Sequence, residues 1–214
     1  QDYEAALAIH PEYVEAYINR GWFFRTCGRF EEAIADCTRA ISLRPDCGKA
    51  LTNRAGCHYA VGNLKAALED CDRAVSANPG DPNSHYSRSL VRHARKEWKG
   101  ALEDAEQAIR LQPDFCEAYI ARGNAYQGLN ALDEAITDYT HVLETWPDHP
   151  LANYNRAVMR LQLAGKTPDR APELLKAALA DTEEALKLNP SGSKAHVYAQ
   201  PHHKKIRAHP RFSE

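Results

Sequence analysis

Two short stretches of the sequence have residues that enzymes use for phosphate binding or acyl transfer, but neither has the required surroundings. The segment Gly165–Thr167 (GKT) matches the end of a phosphate-binding loop. That loop needs a glycine where this chain has Arg160, and a strand before it rather than a helical pattern. Ser191 and Lys194 have an S-x-x-K spacing without its partner motifs. The sequence therefore predicts no catalytic residue, and we expect the chain not to be an enzyme.

Histidines near the end of the chain have the chemistry to bind a metal ion together: His196, His202, His203 and His209. No cysteine lies near them, and no regular helical spacing fixes their positions. We therefore interpret this segment as a solvated basic tail and expect no metal site and no cofactor.

The chain has six cysteines, at Cys27, Cys37, Cys47, Cys57, Cys71 and Cys116. None forms a C-x-x-C pair, and equivalent positions in stacked helices are too far apart for a disulfide. We expect them to be small buried apolar residues of a protein in a reducing compartment, and we predict a cytoplasmic location.

A 34-residue period organises the chain, because prolines recur at Pro11, Pro45, Pro79, Pro113 and Pro147. Between successive prolines, two segments of about fourteen residues carry apolar residues three and four apart, the period of an amphipathic helix. Gly28 separates the first two segments, and proline ends the second. This pattern predicts stacked helical hairpins. We expect helices at about 14–27, 30–43, 48–61, 64–77, 82–95, 98–111, 116–129, 132–145, 150–164 and 172–188.

Counted from position 1 at Val14, Gly48, Pro82, Cys116 and Pro150, each unit is small at three positions. Position 8 holds Gly21, Ala55, Ser89, Gly123 and Ala157; position 20 holds Ala33, Ala67, Ala101, Ala135 and Ala178; position 27 holds Ala40, Ala74, Ala108, Val142 and Ala185. With proline at position 32, this pattern resembles the tetratricopeptide repeat (TPR) family. The resemblance implies an all-α fold, a right-handed α-solenoid of tandem antiparallel helix pairs (a TPR superhelix). The chain departs from the family at position 7, where arginine replaces leucine, and at position 11, with His58, Arg92 and Arg160.

The register divides the chain into successive parts. Residues 1–13 read as the second helix of a truncated repeat, so we expect a piece of a longer protein with an exposed helix at this end. Repeats follow at 14–47, 48–81, 82–115, 116–149 and 150–192, the last with a nine-residue insertion at Gly165–Pro172 that we interpret as a surface loop. Residues 193–214 are expected to form a short capping helix, at about 193–199, and a basic tail.

Arginine recurs at position 7 and aspartate at position 23 of every unit: Arg20, Arg54, Arg88, Arg122 and Arg156, with Asp36, Asp70, Asp104, Asp138 and Asp181. A charge near a helix seam in every hairpin needs a partner, because an unpaired buried charge is unfavourable. Pairing within a hairpin leaves Asp2 alone, whereas pairing with the preceding hairpin leaves Asp181 alone. Both arrangements are open, and we favour a structural role over ligand binding.

The resemblance implies a concave groove lined by positions 2, 5, 6, 9, 12 and 13 of the first helices. The candidate groove residues are Ile18, Asn19, Trp22, Asn53, Tyr59, Tyr86, Leu90, Ile120, Asn124, Tyr154, Asn155 and Val158. Large apolar residues left on such a surface are typical of partner sites.

Asparagines at position 6 (Asn19, Asn53 and Asn155) either contact an extended peptide backbone or cap locally. The family's carboxylate clamp for chaperone tails is matched only by Asn124 and Asn155, because Ile120 stands at the lysine position. A co-chaperone adaptor with a degenerate clamp is therefore a weaker hypothesis.

The net charge of −2 argues against nucleic acid as a partner, and no apolar run approaches the roughly 18 residues of a membrane span. We predict a non-enzymatic protein–protein interaction scaffold that binds a peptide or helix of a partner protein. The alternatives are a substrate-recognition repeat region of a larger, glycosyltransferase-like enzyme, and self-association through the exposed terminal helix.

Overall fold

The computed structural model describes residues 2–188, 204, 206 and 207. Residues 2–188 contain α-helices and one 3-10 turn, Pro168–Arg170, and no strand. The α-helices are Asp2–Ile9 (α1), Val14–Thr26 (α2), Phe30–Leu43 (α3), Gly48–Ala60 (α4), Leu64–Ala77 (α5), Pro82–Ala94 (α6), Trp98–Leu111 (α7), Cys116–Gly128 (α8), Leu132–Thr145 (α9), Pro150–Lys166 (α10) and Ala171–Leu188 (α11). The predicted all-α class is confirmed, and each helix expected from the period begins and ends within two residues of its predicted bounds.

The turn inside each of the first four hairpins depends on one residue with left-handed backbone. Gly28 and Gly62 adopt φ values of 74° and 80° at position 15, as glycine does without steric cost. Lys96 and Asn130 stand at the same position of later repeats with φ values of 63° and 62°. A residue with a Cβ is strained there, asparagine less so than lysine.

Small residues allow the two helices of a hairpin to pack closely. The alanines at position 20 are fully buried, and so are all five residues at position 27. A Cβ added to Gly21 would lie 3.0 Å from the Cys37 Sγ, which shows why position 8 holds a small residue.

The helices divide into two compact units, Gln1–Asp114 and Phe115–Glu214. In the first unit, Val14, Ile18 and Leu51 belong to a core formed between α2, α3 and α4. In the second unit, Tyr139 and Met159 are fully buried in a core formed by α9 and α10.

The insertion of the fifth repeat is largely helical, where a surface loop was expected. It extends α10 to Lys166, forms the 3-10 turn, and leads into α11 at Ala171. The Lys166 ammonium donates to the Asn130 side chain, and Arg170 donates to Asp133 over 2.9 Å. The insertion thus contacts the preceding hairpin.

Two expectations about cysteines and the chain end need comment. Cys37, Cys47, Cys57 and Cys71 are buried as expected, but Cys27 is exposed because it follows the end of α2. The expected capping helix at 193–199 and the four tail histidines lie outside the described residues. In the tail, Ile206 is helical and fully buried against α10 and α11, and Arg207 donates to Glu183 over 2.9 Å.

Within the described part of the chain, no helix combines the length and apolar character needed to cross a bilayer. In the same residues, no group of histidine, cysteine and carboxylate side chains is arranged to hold a metal ion.

Candidate interaction groove

The recurrent arginines and aspartates pair within each hairpin. The shortest distance between the guanidinium and the carboxylate is 2.6 to 2.7 Å in every repeat: Arg20–Asp36, Arg54–Asp70, Arg88–Asp104, Arg122–Asp138 and Arg156–Asp181. The aspartates are all buried. We call these pairs the struts, because each joins the two helices of its hairpin.

The unusual arginines at position 11 reinforce two of the struts. Arg92 donates to Asp104 over 2.8 Å, and Arg160 donates to Asp181 over 2.5 Å. Each of these aspartates therefore accepts from two guanidinium groups. Arg92 also lies 3.2 Å from the point where a Cβ on Gly100 would stand, so that glycine makes room for it.

The first unit contains an open groove, with a volume of about 1030 Å³, along its first helices α2, α4 and α6. All the candidate residues proposed for this unit line it: Ile18, Asn19, Trp22, Asn53, Tyr59, Tyr86 and Leu90. They come together because positions 5, 6, 9 and 12 of successive first helices lie on one face of the stack.

The lining residues differ in exposure. Trp22 and Tyr59 are 52% and 42% exposed, which is unusual for aromatic side chains of this size. Tyr86 and Leu90 are half-buried. Ile18 is only 7% exposed and belongs to the core, so it supports the groove from below and is not an open anchor.

The groove also has a polar edge that the sequence analysis missed. Four of its residues come from the turns between hairpins (Arg44, Asp46, Asn78 and Asp81), and Asn83 comes from the first turn of α6. Asp81 caps α6 by accepting from the backbone N–H groups of Asn83 and Ser84. The signal was available in the sequence, because these turns lead into the first helices that line the groove.

Candidate residues of the second unit form hydrogen bonds or apolar contacts within that unit. The Tyr139 hydroxyl donates to the Asn124 Oδ1 over 2.7 Å, and the Asn155 amide donates to the same oxygen over 3.4 Å. Burial raises the pKa of Tyr139, so its hydroxyl keeps the proton that it donates. Ile120 and Val158 pack against the core. Tyr154 is half-buried.

Comparison with family models identifies tetratricopeptide repeats at residues 14–47, 58–114 and 120–185, which is more than half of the chain. Comparison with curated protein sequences gives no match.

Solved structures with the same fold include three TPR proteins. YrrB, a TPR protein with an unusual peptide-binding site, has 23% identity and a TM-score of 0.65, over 96% of this chain and 98% of that one. TTC0263, a TPR protein of Thermus thermophilus, has 21% identity and a TM-score of 0.74, over 88% and 98%. The first TPR domain of human RPAP3 has 25% identity and a TM-score of 0.54, over 56% and 95%.

The matched residues include both members of four of the five struts, with Arg54 outside the matched ranges, and the whole of the first helices α2, α6 and α10. Such repeats support a role as a protein-interaction scaffold. This chain belongs to the tetratricopeptide repeat family.

Proposed function

We propose that the groove of the first unit binds an extended segment of a partner protein. The observation that carries the proposal is the exposure of Trp22 and Tyr59 in an open groove that the repeats themselves build. Large aromatic side chains are enriched among the residues that dominate binding energy at protein interfaces.

Two asparagines support an extended peptide over a second helix as the occupant. Asn19 and Asn53 line the groove at position 6 of adjacent repeats. Neither side chain takes part in a hydrogen bond among the described residues. A side-chain amide offers one acceptor and two donors, which match the N–H and C=O groups that an extended backbone leaves unpaired.

The test is selection of random 12-residue peptides on phage against the full chain, followed by fluorescence anisotropy with the selected peptides. We expect Trp22→Ala/Tyr86→Ala to weaken binding at least tenfold, because the variant removes two apolar anchors. Phe23→Ala is the matched control, since Phe23 is 47% exposed on α2 and does not line the groove. Equal affinity for the double variant and the wild type would refute the proposal.

The free cysteines support one further point. All six are unpaired, and thiols persist in reducing compartments. We therefore propose that the chain is cytosolic, which immunofluorescence of the full-length protein tests.

A further inference from the structure

The groove of the first unit has a notch at its centre. Position 9 holds Trp22 in α2, Gly56 in α4 and Leu90 in α6, and all three line the groove. A glycine between two large apolar residues leaves a gap the size of a side chain. Arg25 of α2, the first helix of the preceding hairpin, fills the base of this gap, because a Cβ on Gly56 would lie 2.9 Å from Arg25 Nη1 and 3.7 Å from its Cζ.

Arg25 lacks the partner that comparable arginines have. Its Nε is buried without a hydrogen-bond partner, and no ion pair among the described residues includes it. Every other half-buried arginine in the described part of the chain donates to an aspartate of its own hairpin, as Arg20 does to Asp36. A half-buried guanidinium without an acceptor is unfavourable and calls for an explanation.

The charges around the notch do not supply an acceptor. Asp81 lines the groove but accepts from the backbone at the start of α6. Asp46 lies exposed in the turn before α4, and Arg44 pairs with Glu15 over 3.0 Å. The groove is thus mixed in charge. Lys49 of α4 also lines it but is exposed to solvent, so Arg25 is the half-buried cation at the notch.

We propose that Arg25 receives the carboxylate of a single internal glutamate or aspartate in the bound segment, with apolar residues on both sides of it. A guanidinium binds a carboxylate through two parallel hydrogen bonds, which gives both energy and orientation. The acid is internal because Trp22 and Leu90 lie on opposite sides of the notch, so the segment continues in both directions. This inference rests on the proposed function of the groove.

The experiment compares the selected peptides, and their versions with the acid changed to glutamine, on wild type and Arg25→Gln. In the wild type we expect the glutamine peptide to bind at least tenfold more weakly. In Arg25→Gln the two peptides should bind alike. The matched control is Arg39→Gln, an exposed arginine of α3 outside the groove, which should behave like the wild type.

A second variant separates the carboxylate contact from folding. In Gly56→Ala the new Cβ meets only the flexible end of Arg25, and alanine favours the helix, so the unfolding midpoint should stay level or rise. The same variant should lose most of the discrimination between glutamate and glutamine.

The outcomes distinguish the two proposals. Selected peptides without an acid between apolar residues, or equal discrimination in wild type and Arg25→Gln, would overturn the carboxylate contact alone. Loss of binding on amidation of the peptide C-terminus would show that the carboxylate is a chain end and would overturn an internal acid. Unchanged binding to Trp22→Ala/Tyr86→Ala would overturn the groove itself.

Discussion

The two units place the same repeat positions in different surroundings. In the first unit Asn19 is exposed, and the Trp22 side chain in the groove is 52% exposed. In the second unit the equivalent first-helix residues Asn124, Asn155 and Val158 bond or pack inside the unit. Register alone therefore does not determine which residues are available to a partner.

The difference originates on a second helix. Position 24 holds Cys37, Cys71 and Ala105 in the first unit, whereas in the second unit it holds Tyr139 in the fourth repeat and Thr182 in the fifth. The Tyr139 ring lies against Gly123, where an added Cβ would be 2.9 Å from its Cε1 and Cζ. From there its hydroxyl reaches Asn124 on the neighbouring first helix. One large residue at a usually small position changes the polar surface of the unit.

The largest expected effect tests what the two units share. Asp104→Ala and Asp181→Ala each remove a buried carboxylate that two arginines share, so we expect each to lower the free energy of unfolding by about 3 kcal/mol. Urea unfolding measures it. Asp72→Ala is the control, because this aspartate is 51% exposed and its loss should cost less than about 0.5 kcal/mol. Equal effects of Asp72→Ala and Asp104→Ala would show that the struts are not structural.

The next effect is specific to the second unit. Gly123→Ala places a Cβ against the Tyr139 ring and should destabilise the chain by about 2 kcal/mol in urea unfolding. Adding Tyr139→Leu should restore part of that loss. Gly165→Ala is the matched control, because nothing lies within 4 Å of its Cβ position and alanine favours the helix. A neutral Gly123→Ala would remove our explanation of the difference between the units.

Tyr139→Phe removes only the hydroxyl that bonds Asn124. We expect a loss of about 1 kcal/mol in the free energy of unfolding, typical of one net hydrogen bond. Asn19→Ala, at the exposed amide of the first unit, should change stability by less than about 0.5 kcal/mol. Equal changes in the free energy of unfolding for both variants would show that the hydrogen-bonded amide of the second unit contributes no more to stability than the exposed amide of the first.

Glycine in place of the turn residues with positive φ should increase stability. Lys96→Gly relieves a lysine held at a φ of 63° and should raise the free energy of unfolding by about 1 kcal/mol. Asn130→Gly in the second unit should gain less, because asparagine tolerates this backbone and Asn130 also accepts from Lys166. A larger gain at Asn130 would contradict this ranking.

The smallest effect at neutral pH concerns the buried thiols of the first unit. Burial raises the pKa of Cys37 and Cys71 from 9.0 to about 12, and that of Cys57 to about 11. The native state therefore holds these protons to a higher pH than the unfolded state does, so the contribution of the thiols to stability is constant below pH 9 and is lost as the pH rises towards about 12. Urea midpoints at pH 7.5 and 10 measure this.

The exposed Cys27 should react first with a thiol reagent in native protein.

The sequence predicts the helices well because three independent signals agree. Period, the proline at position 32 and the break at position 15 all mark the same boundaries. It also predicts which residues line the groove of the first unit, because register places them on one face. The family resemblance carried this second step.

Other features depend on three-dimensional distances that a repeat pattern does not contain. Both pairing schemes for the struts left one aspartate alone, so only the structure distinguishes them. The contact of Tyr139 with Asn124 joins two helices, and the position of Arg25 over Gly56 joins two hairpins. In the sequence, the first contact is indicated only by a large residue at position 24, and the second only by a glycine at position 9.

The position-7 arginines also reach backwards along the chain. Beyond its own strut, Arg54 donates to Thr38 over 3.0 Å, Arg88 to Asp72 over 3.0 Å, and Arg156 to Thr140 over 3.3 Å. Each acceptor belongs to the hairpin before. When one hairpin unfolds, an arginine of the next hairpin loses a hydrogen-bond acceptor. The stability of each hairpin therefore depends on its neighbour, as in a one-dimensional cooperative model. Amide hydrogen exchange should accordingly spread from hairpin to hairpin within a unit, in steps rather than residue by residue.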